Sequence, residues 1–351
     1  LTLAALWTAS AEALAAPKKK GRNASAESGA ASSGGSGTSS AFSVLDDPDR
    51  PRSDIGIPLV SFILPGFDQW WEGQTGYAAA YTGVAIGGLA YSAHVMAAND
   101  LDADGTKADE DEEDGETADD EEETRLDQKD VAVRKATLGS LIYQGSGGFS
   151  AYHSFRTAVR SRKANDQYDF LEYEETPGDV LLAPFQFQFL ARPTTFIPLG
   201  IGAGLAYLIL HSEPGEDMER APFTSADAFF TGAYSYNAGT HEEAMFRGWI
   251  MPVMREYWGS DFWSNAAQSL LFAAAHLNTN PQPLPQLLLG YHLGYVTQKN
   301  SWRLAESVFI HVWWDVLAFA TIFNYREAHQ DDDKASRLLP ILWLPPLELH
   351  F

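Results

Sequence analysis

The sequence contains no cysteine, which excludes disulfide bonds, thiolate catalysis and cysteine-based metal sites. Positive charge is scarce as well: 24 Lys and Arg stand against 47 Asp and Glu, a formal net charge of −23. That balance argues against nucleic acid as a partner. Mean hydropathy is slightly negative, at −0.21, which by itself describes a soluble chain. The average hides two populations, because polar stretches dilute several apolar runs. At 351 residues the chain has room for one or two domains.

The polar stretches come first. Residues 1–16 are small and apolar and end in Ala13-Leu14-Ala15, the pattern of a signal peptide or, if uncleaved, an anchor. Residues 17–53 are rich in Ser, Gly and Ala without periodicity, and predict a disordered linker. An acidic loop, 99–130, holds 17 carboxylates against three basic residues from Asp100 onward, and reads as solvated and disordered. Its expected role is a spacer, with docking of a protein partner as the alternative. Asp100, Asp102, Asp104 and Gly105 match the first half of a calcium loop, and Asp111 stands at its twelfth position. The weak match ends at Lys107, where an apolar anchor belongs.

Apolar segments fill the rest. Ile55 to Trp71, broken at Pro65-Gly66, predicts a re-entrant or surface-lying helix with Trp70 and Trp71 at the interface. Gly76 to Ala98 has the length of a span, with Gly83 and Gly87 at G-x-x-x-G spacing. Val131 to Tyr152 is a second span. Arg156, Arg160, Arg162 and Lys163 follow it and mark a cytoplasmic end, so 54–163 forms an N-terminal membrane region. Asp179 to Arg192 predicts an interfacial helix. Thr194–His211, Ala226–Gly239, Phe262–Leu277, Leu284–Gln298 and Ser307–Asn324 supply further helices. The expected fold is an all-α, polytopic transmembrane bundle with a protease-like core over 180–325 and a tail over 326–351.

Three of these segments carry ionisable groups, which at membrane depth mark function. One reads Thr240-His241-Glu242-Glu243-Ala244-Met245-Phe246-Arg247-Gly248; the others place His276 after Phe272, and His311 four residues before Asp315. Residues four apart share a helix face. Glu243 therefore pairs with Arg247, while Glu242 is rotated away and stays free. Thr240 is the expected N-cap of this helix, with Glu243 completing a capping box. A free carboxylate, two imidazoles and a further polar side chain are the parts needed to activate water and stabilise an oxyanion.

In order and spacing, Glu242-Glu243 to Arg247-Gly248, Phe272 to His276 and His311 to Asp315 resemble the CPBP family of intramembrane glutamic endopeptidases. That family includes the CAAX prenyl proteases and the bacteriocin-processing proteins. The Leu287 to Tyr295 stretch is similar to the family's Leu-Gly-rich helix. The resemblance implies hydrolysis of peptide bonds in a peptide or membrane-protein substrate, without a cofactor, in a multi-pass protein of the bacterial inner membrane. It implies that Glu242, with His276, activates the water, that Glu243 and Arg247 brace the helix, and that His311 and Asp315 flank the oxyanion. Because ionised aspartate repels an oxyanion, Asp315 takes part either protonated or by orienting His311.

Two rivals stand beside this reading. Glu242, His276 and His311 are a possible metal-ligand set, although Met245 replaces the second histidine of a zincin motif begun by His241. The other rival is a non-enzymatic scaffold or immunity-type protein whose polar residues only pin helices together.

Overall fold

The computed structural model describes residues 52–99, 101, 119–212, 218–277 and 283–327. The leader, the linker, the C-terminal tail from 328 and the calcium-loop candidates Asp100, Asp102 and Asp104 lie outside them. Within them the fold is an all-α bundle. It comprises α1 (Gly56–Ile63), α2 (Phe67–Trp71), α3 (Thr75–Ala98), α4 (Asp119–Lys163), α5 (Pro177–Leu182), α6 (Pro193–His211), α7 (Ser225–Met245), α8 (Met251–Trp258), α9 (Asp261–Ala275), α10 (Leu284–Lys299) and α11 (Ala305–Ile322). One feature is not helical. Strands β1 (Met218–Arg220) and β2 (Tyr325–Glu327) pair antiparallel, with Glu219 opposite Arg326. They join the entry to α7 with the exit from α11.

The N-terminal hairpin turns at Gly66, whose φ of +93° is open to glycine at no steric cost. This separates α1 from α2 within the segment expected to form one re-entrant element. The segment is tied to the bundle by buried polar groups. The Asp54 carboxylate accepts from Tyr168 and pairs with Arg162 at 3.1 Å, while its carbonyl accepts the indole N–H of Trp249 at 2.9 Å.

Helix α4 is 45 residues long, so the expected loop over 99–130 is corrected at its end: the chain is helical from Asp119. Charges that repel one another in isolation are here carried as the first turns of a helix whose later turns are packed. Its partner is α3, but not through the expected glycines. A side chain added at Gly83 or Gly87 would meet open space, whereas one at Gly88 would meet the Gly139 carbonyl at 2.6 Å. The close approach therefore uses Gly88 and Gly139, one glycine from each helix. The expected interfacial helix after Asp179 is also interrupted. Short helix α5 gives way at Pro184 to 3₁₀ turns over Ala183–Phe185 and Phe187–Ala191, because proline lacks the N–H that would continue the helix. Leu182, Phe185, Phe187 and Leu190 remain exposed along them.

Among the described residues two helices, Pro193–His211 and Ala305–Ile322, are long and apolar enough to cross a membrane by length and composition. They differ in surroundings. The α6 window is only 11% buried inside the bundle and presents Phe196, Ile201, Leu205 and Leu208 outward. The α11 window is 44% buried and carries the polar groups. Helix α11 packs on α7 at Gly239, where an added methyl would fall 2.8 Å from the Val312 backbone nitrogen. Gly239→Ala must push these two helices apart. An overpacked contact of this kind costs about 1–3 kcal/mol, read as a lowered Tm in detergent.

Candidate active site

Helix α7 starts earlier than its motif suggests. Thr224 is its N-cap: the Asp227 N–H donates to Thr224 Oγ1 at 3.2 Å, and the Thr224 N–H donates to the Asp227 carboxylate at 2.7 Å. The expected cap at Thr240 is therefore corrected. Thr240 lies deep in the helix, and its hydroxyl donates to the Tyr236 carbonyl at 2.7 Å, the way an interior threonine satisfies itself. The motif occupies the C-terminal turns of α7. It runs on into a π-helical turn, Phe246–Ile250, a widening frequent at functional sites, before α8.

Glu243 and Arg247 form a fully buried pair, with Arg247 Nη1 donating to Glu243 Oε1 at 2.7 Å. Buried charge must be matched, and the matching extends across the bundle. Glu243 Oε1 also accepts from His311 Nδ1 of α11 at 2.9 Å. Arg247 Nη2 donates to the Gly290 carbonyl of α10 at 2.9 Å. Its guanidinium lies 4.4 Å from the centre of the Phe272 ring of α9. One ion pair thus touches four helices.

Glu242 points to the other side. Its Oε2 stands 3.7 Å from His276 Nε2 and 3.8 Å from His311 Nε2, and this oxygen has no hydrogen-bond partner among the described residues. Both gaps exceed a direct hydrogen bond and suit one bridging water. The imidazoles are held by their other nitrogens. His276 Nδ1 lies 2.7 Å from the Phe272 carbonyl, so this nitrogen carries the proton, as does His311 Nδ1 against the Glu243 carboxylate. Each ring thereby turns its Nε2 toward Glu242. Asp315 Oδ2, one turn along α11, completes the cluster 3.6 Å from His311 Nε2.

The structure thus brings together Glu242, Glu243, Arg247, His276, His311 and Asp315. It takes His241 elsewhere: its ring packs on Gly148 of α4, and Nδ1 lies 2.7 Å from the Asn237 carbonyl. Among the described residues no group of three or more His, Asp or Glu side chains is arranged to hold a metal ion. Sequence reasoning missed the supporting amides. Gln268 Nε2 donates to the Gly290 carbonyl at 3.1 Å, and Asn265 Nδ2 to the Tyr291 carbonyl at 3.0 Å. The signal was present, since two amides three residues apart in an apolar segment mark a helix contact.

Residues 224–317 match the family model described as "Rce1-like: Type II CAAX prenyl endopeptidase Rce1-like". That model is of the CPBP/CAAX protease type, and the matched stretch is similar to it. No curated protein and no solved structure matches the chain. The Rce1-like stretch runs from the Thr224 cap of α7 into α11. It contains all six clustered residues and leaves α1 to α6 unassigned. The Rce1-like family is one of membrane-embedded proteases, and α6 and α11 are long and apolar enough to cross a membrane.

Proposed function

We propose that this chain is an intramembrane endopeptidase that hydrolyses a peptide bond in a peptide or membrane-protein substrate, with Glu242 as general base. The observation that carries this reading is the Glu242 Oε2 oxygen, buried and without a hydrogen-bond partner among the described residues, facing the Nε2 atoms of two oriented histidines. A water held between them gives a proton to Glu242 as its oxygen attacks the carbonyl carbon, with His276 orienting it. The negative charge that develops on the carbonyl oxygen is stabilised at His311. Because Nδ1–H of His311 is committed to Glu243, donation from Nε2 uses the imidazolium form, with Glu243 and Asp315 as its neighbouring carboxyl groups. When the C–N bond breaks, the proton on Glu242 passes to the leaving amine, and a carboxylic acid and an amine result.

In this reading Asp315 orients His311 and does not itself bind the oxyanion. Asp315→Asn, which retains the hydrogen-bonding shape, is expected to keep cleavage within about tenfold of the parent, below the usual 10²–10⁴-fold loss of a direct acid–base group. Initial rates on a reporter peptide check this. A folded Asp315→Asn protein without activity contradicts the assignment.

In this reading the bundle, including α3, α6, α7 and α9 to α11, lies in the bilayer as a multi-pass protein. The scaffold reading fits the site less well, because a purely structural polar network ties its members together, and Glu243 and Arg247 are hydrogen-bonded into this one whereas Glu242 Oε2 is not. The experiment that tests the glutamate mechanism is cleavage by purified protein with and without a strong chelator. Unchanged rates support Glu242 as the base. Loss that zinc restores supports a metal held by Glu242, His276 and His311.

A further inference from the structure

A second polar feature lies outside the Rce1-like stretch. The last turns of α4 place His153, Arg156, Arg160 and Lys163 three or four residues apart, so they share a face. They line a cleft of about 240 Å³ whose other walls include Gln74, Tyr77 and residues 174–177. Two of the cations are steadied by backbone: Arg156 donates to the Tyr173 carbonyl, and Lys163 Nζ to the Leu171 carbonyl at 2.5 Å. Arg160 is exposed and makes only 3.4 Å contacts, to the Arg156 carbonyl and Thr157 Oγ1. Among the described residues no carboxylate pairs with Arg156, Arg160 or Lys163.

Two acids, Glu174 and Glu175, line the cleft against the three cations Arg156, Arg160 and Lys163. Glu175 gives its carboxylate to the Leu304 N–H at 2.8 Å, and burial pushes its pKa up against the pull of that N–H, Arg156 and Arg303. Glu174 is exposed to solvent. Two exposed aromatics belong to the cleft: Tyr77 lines it, and Tyr173 holds Arg156 through its carbonyl, the residue type that settles at headgroup depth. Helix α5 starts at the cleft-lining Pro177, and Leu182 and Phe185 at and after its end are exposed.

We propose that this cleft binds a phosphate group, that of an anionic phospholipid, with the headgroup between Arg156, Arg160 and Lys163 and the acyl chains along the exposed apolar turn after α5. Basic pockets between helices take such headgroups. The site is independent of peptide hydrolysis and stands whether or not Glu242 is catalytic.

The test measures lipid retained by the purified full-length protein in native mass spectrometry, after exchange into mixed phosphatidylglycerol and phosphatidylcholine. The parent should retain phosphatidylglycerol at least tenfold over phosphatidylcholine, and Arg160→Gln with Lys163→Gln should erase most of that preference, each charge acting as an independent attraction. Arg160→Gln alone alters an exposed side chain and carries the test should the double variant fold poorly. A parallel arm adds inorganic phosphate and follows Tm. Stabilisation of the parent but not the variant by phosphate, with no lipid preference, supports the phosphate chemistry and overturns the lipid source. Equal retention of both lipids and no response to phosphate overturns the proposal.

Discussion

Glu242→Gln is expected to lower peptide cleavage by about three orders of magnitude, the range for losing a general base, while leaving Tm within a degree or two. The two halves of that expectation come from one geometry. Glu242 Oε2 lies 3.7 and 3.8 Å from two imidazole nitrogens and makes no direct hydrogen bond among the described residues, so the fold loses little when the carboxylate becomes an amide. The chemistry loses its proton acceptor, because an amide oxygen is far too weak a base to take a proton from water. Rates on a reporter peptide, beside thermal melts of the same preparations, check both. An active Glu242→Gln protein removes the glutamate mechanism, and an unfolded one moves Glu242 into the structural network.

Arg247→Met is expected to give the opposite pattern, with stability failing first. Methionine leaves Glu243 buried with its cation gone, and breaking a buried pair from one side costs about 3–5 kcal/mol. The loss falls on four helices at once, since Arg247 also holds the Gly290 carbonyl and covers Phe272. Expression and Tm should drop sharply. Adding Glu243→Gln to the same protein should recover part of the stability, because the orphaned charge is gone. It should not recover activity, because His311 loses the carboxylate that fixes its ring. Recovery of cleavage in the double variant contradicts the role given to Glu243.

How much of this was legible in sequence depends on the range of each interaction. The Glu243–Arg247 pair and the divergence of Glu242 follow from helix periodicity alone, and the structure has both. The bond from His311 to Glu243 joins residues 68 apart, and no local pattern announces it. The start of α7 is hard to read because Thr240 carries the chemistry of a cap, whereas the Thr224–Asp227 box that caps the helix lies upstream of the motif. At the α3–α4 contact, spacing favoured Gly83 and Gly87. The face actually packed was set by α4, whose Gly139 lies opposite Gly88. The β1–β2 pairing involves two three-residue strands about a hundred residues apart, too short for alternation to show.

The proposed proteolysis rests on Glu242. Its most direct measurement compares peptide termini, by mass spectrometry of membrane and secreted fractions, between cells carrying the parent protein and cells carrying Glu242→Gln at equal abundance. The account predicts a set of new termini present with the parent and missing with the variant, and their sequences name the substrate. Identical termini in the two, with both proteins folded and in the membrane, contradict it.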